Sequence, residues 1–292
     1  MSLFQTYFAL YPHAFIVVVL LLGLMVGSFL NVVIARLPVM LERDWRAQAR
    51  ELLEVKAPKT ERAAPFNLMH PGSRCPHCEH RIRAWENIPL LSFTWLRGKC
   101  SACGKLISWR YPAVELISGV LSALIAWRFG YTAVAAAGLL FTWALIALAF
   151  IDYDTQLLPD NITLPLLWVG LLLNVSNLLV PLGSAVIGAA TGYFILWLVY
   201  YAFKLLTGKE GMGFGDFKLY AALGAWLGWQ QLPLILLMSS LIGAVVGIAI
   251  IILMKRDRRL PIPFGPFLCG AGWVAFMWGD QLTRYYLQLA RF

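Results

Sequence analysis

The sequence predicts an all-α polytopic membrane protein of about eight transmembrane helices, with one small water-facing domain inserted between the first and second helices. Three observations predict it. Of 292 residues, 60% are hydrophobic and only 13% are charged, against roughly 45–50% and 25% in ordinary globular domains. Apolar runs of about 20 residues, the length that crosses a ~30 Å hydrocarbon core as a helix, recur along the chain. Charge is confined: 14 of the 24 Lys and Arg and seven of the 15 acids lie between Arg36 and Tyr111. This composition excludes a soluble fold, a disordered chain and a collagen-like chain, and five cysteines are too few for a secreted disulfide scaffold.

The first formally charged side chain is Arg36. The run from Ala14 to Ala35 therefore lacks the basic segment of a cleaved signal peptide and reads as an uncleaved first span. Residues 1–35 form this helix, 36–111 the polar domain and 112–292 a membrane core. Within the core, spans are expected near 112–130, 133–152, 162–180, 184–205, 218–232, 234–254 and 264–281. The one near 218–232 is short, and a re-entrant path there would reverse the side on which the chain ends. If 36–111 faces the cytoplasm, its cations join Lys204, Lys209, Lys218, Lys255, Arg256, Arg258 and Arg259 on one side, leaving Arg128, Arg284 and Arg291 on the other. The positive-inside rule selects that orientation. The net charge of +9 then reads as basic loops against anionic membrane lipids, with no nucleic-acid partner. The pairs Gly23/Gly27, Gly188/Gly192, Gly224/Gly228 and Gly243/Gly247 read as close helix packing. No internal repeat stands out.

Cys75-Pro-His-Cys78 and Cys100-Ser-Ala-Cys103 are separated by 21 residues, one more than the usual ribbon spacing. Each pair presents two thiolates, and two pairs complete a tetrahedral metal site. Two disulfides or four unrelated thiols are the alternatives, and a cytoplasmic location argues against disulfides. Four thiolates leave no open coordination position, so the expected ion is a structural zinc that staples a domain with little core of its own. His77 and His80 adjoin the first pair and read as solvated residues. Cys269 reads as a small packing residue.

Eight acids lie outside the polar domain: Glu115, Asp152, Asp154, Asp160, Glu210, Asp216, Asp257 and Asp280. Ionisable groups near hydrocarbon are costly and usually functional. Asp152 ends the third span and Asp216 opens the sixth, within Gly213-Phe-Gly-Asp216, so both fall on the same face and can meet. Two aspartates converging on one water can hydrolyse a peptide: one, ionised, takes the water's proton while the other, protonated, polarises the carbonyl. Plain alternatives stand beside this. Asp152 can simply terminate a helix, Asp216 can cap one, and Asp160 after Pro159 reads as a turn and cap. Rival functions are an ion-conducting transporter lined by these acids and a zinc-dependent adaptor without chemistry.

The motifs resemble those of the type IV prepilin leader peptidases. The resemblance is carried by Gly27-Ser-Phe-Leu-Asn-Val32, the two cysteine pairs, Asn87-Ile-Pro-Leu90, and Arg110-Tyr-Pro112 with Glu115. It continues through Asp152, Leu158-Pro-Asp160, Gly213 to Asp216 and Pro261-Ile-Pro-Phe-Gly-Pro266. It implies a bacterial inner-membrane aspartic endopeptidase that removes the basic leader of type IV prepilins and type II secretion pseudopilins after a glycine, at the cytoplasmic face. Asp152 and Asp216 are its implied catalytic pair. It also implies methylation of the new N-terminus with S-adenosylmethionine, whose binding residues the sequence does not reveal; a peptidase alone is the alternative. Asp154, Asp160 and Glu210 are expected to help hold the basic leader.

Overall fold

The computed structural model describes residues 3–54, 66–254 and 263–289. Lys255, Arg256, Asp257, Arg258, Arg259, Pro261, Ile262 and Arg291, singled out above, lie outside the described residues. The chain divides into two units, Met1–Gly130 and Tyr131–Phe292. Both are helical.

In the first unit, α1 (Leu3–Leu10) leads into α2 (Pro12–Leu52), followed by α3 (Leu91–Trp95) and α4 (Arg110–Phe129). Pro12 opens α2 at a position where its missing N–H is no loss. The helix does not stop at Arg36, where the first span was expected to end. It runs on to Leu52 because residues 39–52 are rich in Leu, Glu, Arg, Ala and Gln, and Glu42 pairs with Arg46 at 2.5 Å one turn on. Phe66 and Asn67 are strapped to this helix. Arg43 lies 4.2 Å and Arg36 5.9 Å from the Phe66 ring centroid, and Arg36 Nη1 donates to the Asn67 carbonyl at 3.0 Å.

Two glycines bring α2 against α4. A Cβ at position 23 would lie 2.6 Å from Ser122 Oγ, and one at position 27 would lie 2.7 Å from Glu115 Cα. This close approach lets polar groups bond across the helices: Ser118 Oγ donates to the Gly23 carbonyl at 2.7 Å and Asn31 Nδ2 to the Tyr111 carbonyl at 3.1 Å. Buried Glu115 accepts the Leu90 N–H at 2.9 Å, and the Ser28 hydroxyl bonds it as well. Leu90 has φ 59°, so an acceptor is needed to hold it there. Glu115→Ala is expected to leave that N–H unpaired and cost about 1–3 kcal/mol, read as a lower Tm in detergent, while Glu115→Gln, which keeps an acceptor, recovers much of it.

The second unit contains α5 (Ala133–Thr155), α6 (Asp160–Val175), α7 (Leu182–Thr207), α8 (Phe214–Leu227), α9 (Leu232–Met254) and α10 (Gly265–Leu289). Thr132 caps α5, its hydroxyl accepting the Ala135 N–H at 3.2 Å. Five helices among the described residues are long and apolar enough to cross a membrane: Pro12–Leu52, Arg110–Phe129, Ala133–Thr155, Leu182–Thr207 and Trp229–Ile250. The shorter α6 is apolar too. With α8 and α10, every expected span corresponds to a helix.

The short sixth span has a physical explanation. Helix α8 has 14 residues, about 21 Å of rise against a ~30 Å core, and every residue from Asp216 to Leu227 except Lys218 is buried. It packs among α6, α7 and α10. Gly188 and Gly224 set the α7 crossing: a Cβ on either would lie 2.3 or 2.1 Å from the other's carbonyl oxygen. Hydrogen bonds to neighbours fix it further. Trp226 Nε1 donates to the Leu166 carbonyl at 2.7 Å, Asn174 Nδ2 to the Ala225 carbonyl at 3.0 Å, and the Tyr220 hydroxyl to the Leu232 carbonyl at 2.5 Å. Of the expected glycine pairs, Gly228 behaves differently; it ends α8 with φ 77°.

Candidate active site and metal centre

Asp152 lies on α5, which continues to Thr155 and ends at left-handed Gln156, so the acid does not terminate its helix. Its Oδ2 accepts the Gly265 N–H at 2.9 Å, at the first residue of α10. Asp216 is the third residue of α8, whose N-cap is Gly213. Its Oδ2 accepts the Gly213 N–H at 3.3 Å. It therefore braces the helix start as an acid in the first turn does, without being the cap residue.

Both carboxylates are buried, 5% and 7% exposed. The charge of Asp152 reaches Asp216, and both acids lie near enough to act on the thiol of Cys269. Leu158, in the loop between α5 and α6, ties their surroundings together. A Cβ at 265 would lie 2.6 Å from Asp152 Oδ2 and 3.2 Å from Leu158 Cδ2, and one at 215 would lie 2.8 Å from Leu158 Cβ. The absent side chains at 215 and 265 thus let backbone and Leu158 close around the acids. Asp216 Oδ1 is buried and meets no donor among the described residues. A buried oxygen in that state is matched to a proton, a water or a substrate. Just past Asp152, a cavity of about 360 Å³ is lined by Tyr153, Asp154, Thr155, Gln156 and Pro263.

The other acids are placed differently. Asp160, first residue of α6, binds Lys218 Nζ through both oxygens at 2.7 and 2.8 Å. Glu210 binds Lys204 Nζ at 2.8 Å, a bond that holds the Glu210 carboxyl below its usual range. Both already have an internal cation, which weakens the expectation that they grip a basic leader. Asp154 lines the cavity.

The cysteines form a second, separate constellation in the first unit. All four Sγ atoms lie within 4.8 Å of one another, with Cys75–Cys103 and Cys78–Cys100 each 3.9 Å apart. None is disulfide-bonded. A tetrahedral ion with metal–sulfur bonds of ~2.3 Å sets sulfurs about 3.8 Å apart, so the four thiols fit a metal. The His77 and Cys78 N–H groups hold the Cys75 thiol down to about 7, and those of Cys103 and Ala102 lower Cys100. Cys78 is pushed up to about 12: the His80 N–H favours its thiolate, but desolvation and the neighbouring thiols oppose it more strongly. A cation supplies what that crowding lacks.

A repeat missed in the sequence appears here. Both knuckles are built alike, 25 positions apart: the bridge Arg74–Arg81 answers Lys99–Leu106, and Cys75 N–H to His80 carbonyl answers Cys100 N–H to Lys105 carbonyl, each at 2.9 Å. The residue after the second cysteine is left-handed in both, Glu79 at φ 58° and Gly104 at φ 68°. Because Glu stands where Gly is favoured, side-chain identity hides the correspondence. Glu86 joins the knuckles. It accepts from the Arg83 N–H at 2.7 Å and the Ser101 hydroxyl at 2.5 Å, and lies 3.4 Å from His80 Nε2, so its carboxyl is held below the usual range. Glu86→Ala is expected to speed release of bound metal to a chelator by about 10-fold or more, read with a chromogenic indicator.

The fold and these sites define a multi-helix membrane protein with a buried pair of acids in one unit and a four-thiol metal-type cluster in the other. Residues 21–129 match the bacterial peptidase A24 N-terminal domain and residues 139–248 the type IV leader peptidase family. The chain is 59% identical over 280 residues, 96% of each chain, to the prepilin leader peptidase/N-methyltransferase of Stutzerimonas stutzeri. It is 55% identical over 286 residues, 98% of each, to that of Pseudomonas aeruginosa, and 52% identical over 263 residues, 90% of each, to that of Neisseria gonorrhoeae. No solved structure matches it. The chain belongs to the type IV leader peptidase family.

Proposed function

We propose that this protein is an inner-membrane aspartic endopeptidase that cleaves the basic leader from type IV prepilins and type II secretion pseudopilins. Asp152 and Asp216 carry the chemistry. The single observation behind this reading is the burial of both carboxylates around Leu158, with Asp216 Oδ1 left without a donor among the described residues. One proton is shared by the pair. The ionised partner takes a proton from water while the protonated one polarises the amide carbonyl, and the proton then passes to the leaving amine. A basic leader followed by an apolar helix places its junction at the membrane edge, and Asp152 lies one turn from the end of its membrane helix. The active site faces the cytoplasm, the side where 36–111 and most basic loops lie; the membrane core, 112–292, supplies both acids.

The four cysteines, Cys75, Cys78, Cys100 and Cys103, hold zinc as a structural ion. The protein also methylates the new N-terminus, as the names of its relatives and the presence of the cysteine domain suggest. S-adenosylmethionine supplies the methyl group in such a step. The polar surface of the cysteine domain, where a shallow hollow is lined by His80 to Ala84, is the candidate region for that cofactor. Purified protein in lipid nanodiscs, given a prepilin with and without labelled S-adenosylmethionine, tests both activities. Cleavage without methylation leaves a peptidase alone; proton flux without cleavage returns the acids to an ion path.

A further inference from the structure

The cysteine domain carries large apolar side chains that nothing in its own unit covers. On α3, Leu91 and Trp95 are 65% and 84% exposed and, four residues apart, share one face. Trp109, which packs on Phe93 of the same helix, is 76% exposed. In water such a patch is unfavourable, and a five-residue helix has no core to offset it.

The depth of α3 is fixed by two contacts to a membrane helix. The Phe93 ring packs on Trp109, the residue immediately before α4, with centroids 4.8 Å apart. Leu90, the residue before α3, donates its N–H to Glu115, which lies about 7.5 Å along the α4 axis from Arg110. Helix α4 is one of the membrane-length apolar helices. Helix α3 is therefore pinned level with the first turns of a span, where headgroups lie. The side chains that follow it suit that layer: exposed Arg97, Lys99 and Lys105. Tryptophan beside Lys and Arg is the composition of the membrane interface.

We propose that α3 is an interfacial anchor: Leu91, Trp95 and Trp109 enter the headgroup–acyl boundary, and Arg97 and Lys99 engage anionic lipid phosphates. The full-length protein with benzoylphenylalanine at position 95, and separately at 91, is placed in nanodiscs of phosphatidylethanolamine and phosphatidylglycerol, irradiated and analysed by mass spectrometry. Position 51, exposed near the far end of α2, is the water-side control. Lipid adducts at 95 and 91 at about five times the yield at 51 or more are expected. In the Arg97→Gln, Lys99→Gln variant the phosphatidylglycerol share of those adducts falls towards its share of the bilayer. Yields no higher than at 51, or adducts mainly to protein from this chain or a second copy, overturn the anchor. An unchanged phosphatidylglycerol share overturns its charged part.

Discussion

Asp152→Asn and Asp216→Asn are each expected to lower the rate of leader cleavage by about 10²–10⁴-fold, the range that a positioned general acid or base contributes. The substitution is chosen because it keeps the local structure. An amide oxygen at 152 still accepts the Gly265 N–H, and one at 216 still accepts from Gly213. Asp152→Ala removes that acceptor and should lower Tm as well, so comparing the two variants separates loss of chemistry from loss of structure. The fall should appear in kcat with little change in KM, because the proton transfers are made in the transition state. Near-native cleavage by either Asn variant would falsify the assignment of the pair.

Gly188→Ala and Gly224→Ala are expected to be the most destabilising small substitutions in the second unit. Each added Cβ meets a carbonyl oxygen on the opposite helix at 2.3 or 2.1 Å, and backbone cannot rotate aside as a side chain can. The helices must separate, at a cost of about 1–3 kcal/mol or more for each site. Because the two glycines face each other, the double substitution should cost less than the two singles combined, since one separation accommodates both. Thermal unfolding in detergent reads this out. Cleavage should fall with it, as α8 carries Asp216.

Much of the architecture was legible because a membrane helix announces itself by length and apolarity, and a metal knuckle by spacing. The short span at α8 was legible too, but not its surroundings, since composition cannot tell a helix wrapped in lipid from one wrapped in other helices. Its burial on nearly every side explains both its apolarity and its shortness. The end of α2 was missed because hydropathy marks where a chain leaves lipid, whereas helix propensity decides where the helix stops. At the acids, the order of the spans put Asp152 and Asp216 on one face, but the part played by Leu158 and Gly265 depends on a loop and a helix start far apart in sequence. The residues Asn31, Leu90, Tyr111 and Glu115 had no role legible in sequence; the structure gathers them with Gly27, already expected to pack closely, on a single seam between α2 and α4.

The unbroken course of α2 gives it the mechanics of a lever. Pro38 removes one backbone donor just beyond the apolar run, and the 14 residues from there to Leu52 extend about 21 Å. A bend of only ~10° at that pivot sweeps the tip through about 4 Å. Arg36 and Arg43, bound to Phe66 and Asn67, sit on the pivot and its first turns. Phe66 and Asn67 are thus coupled to the fulcrum and spared most of the travel at the far end.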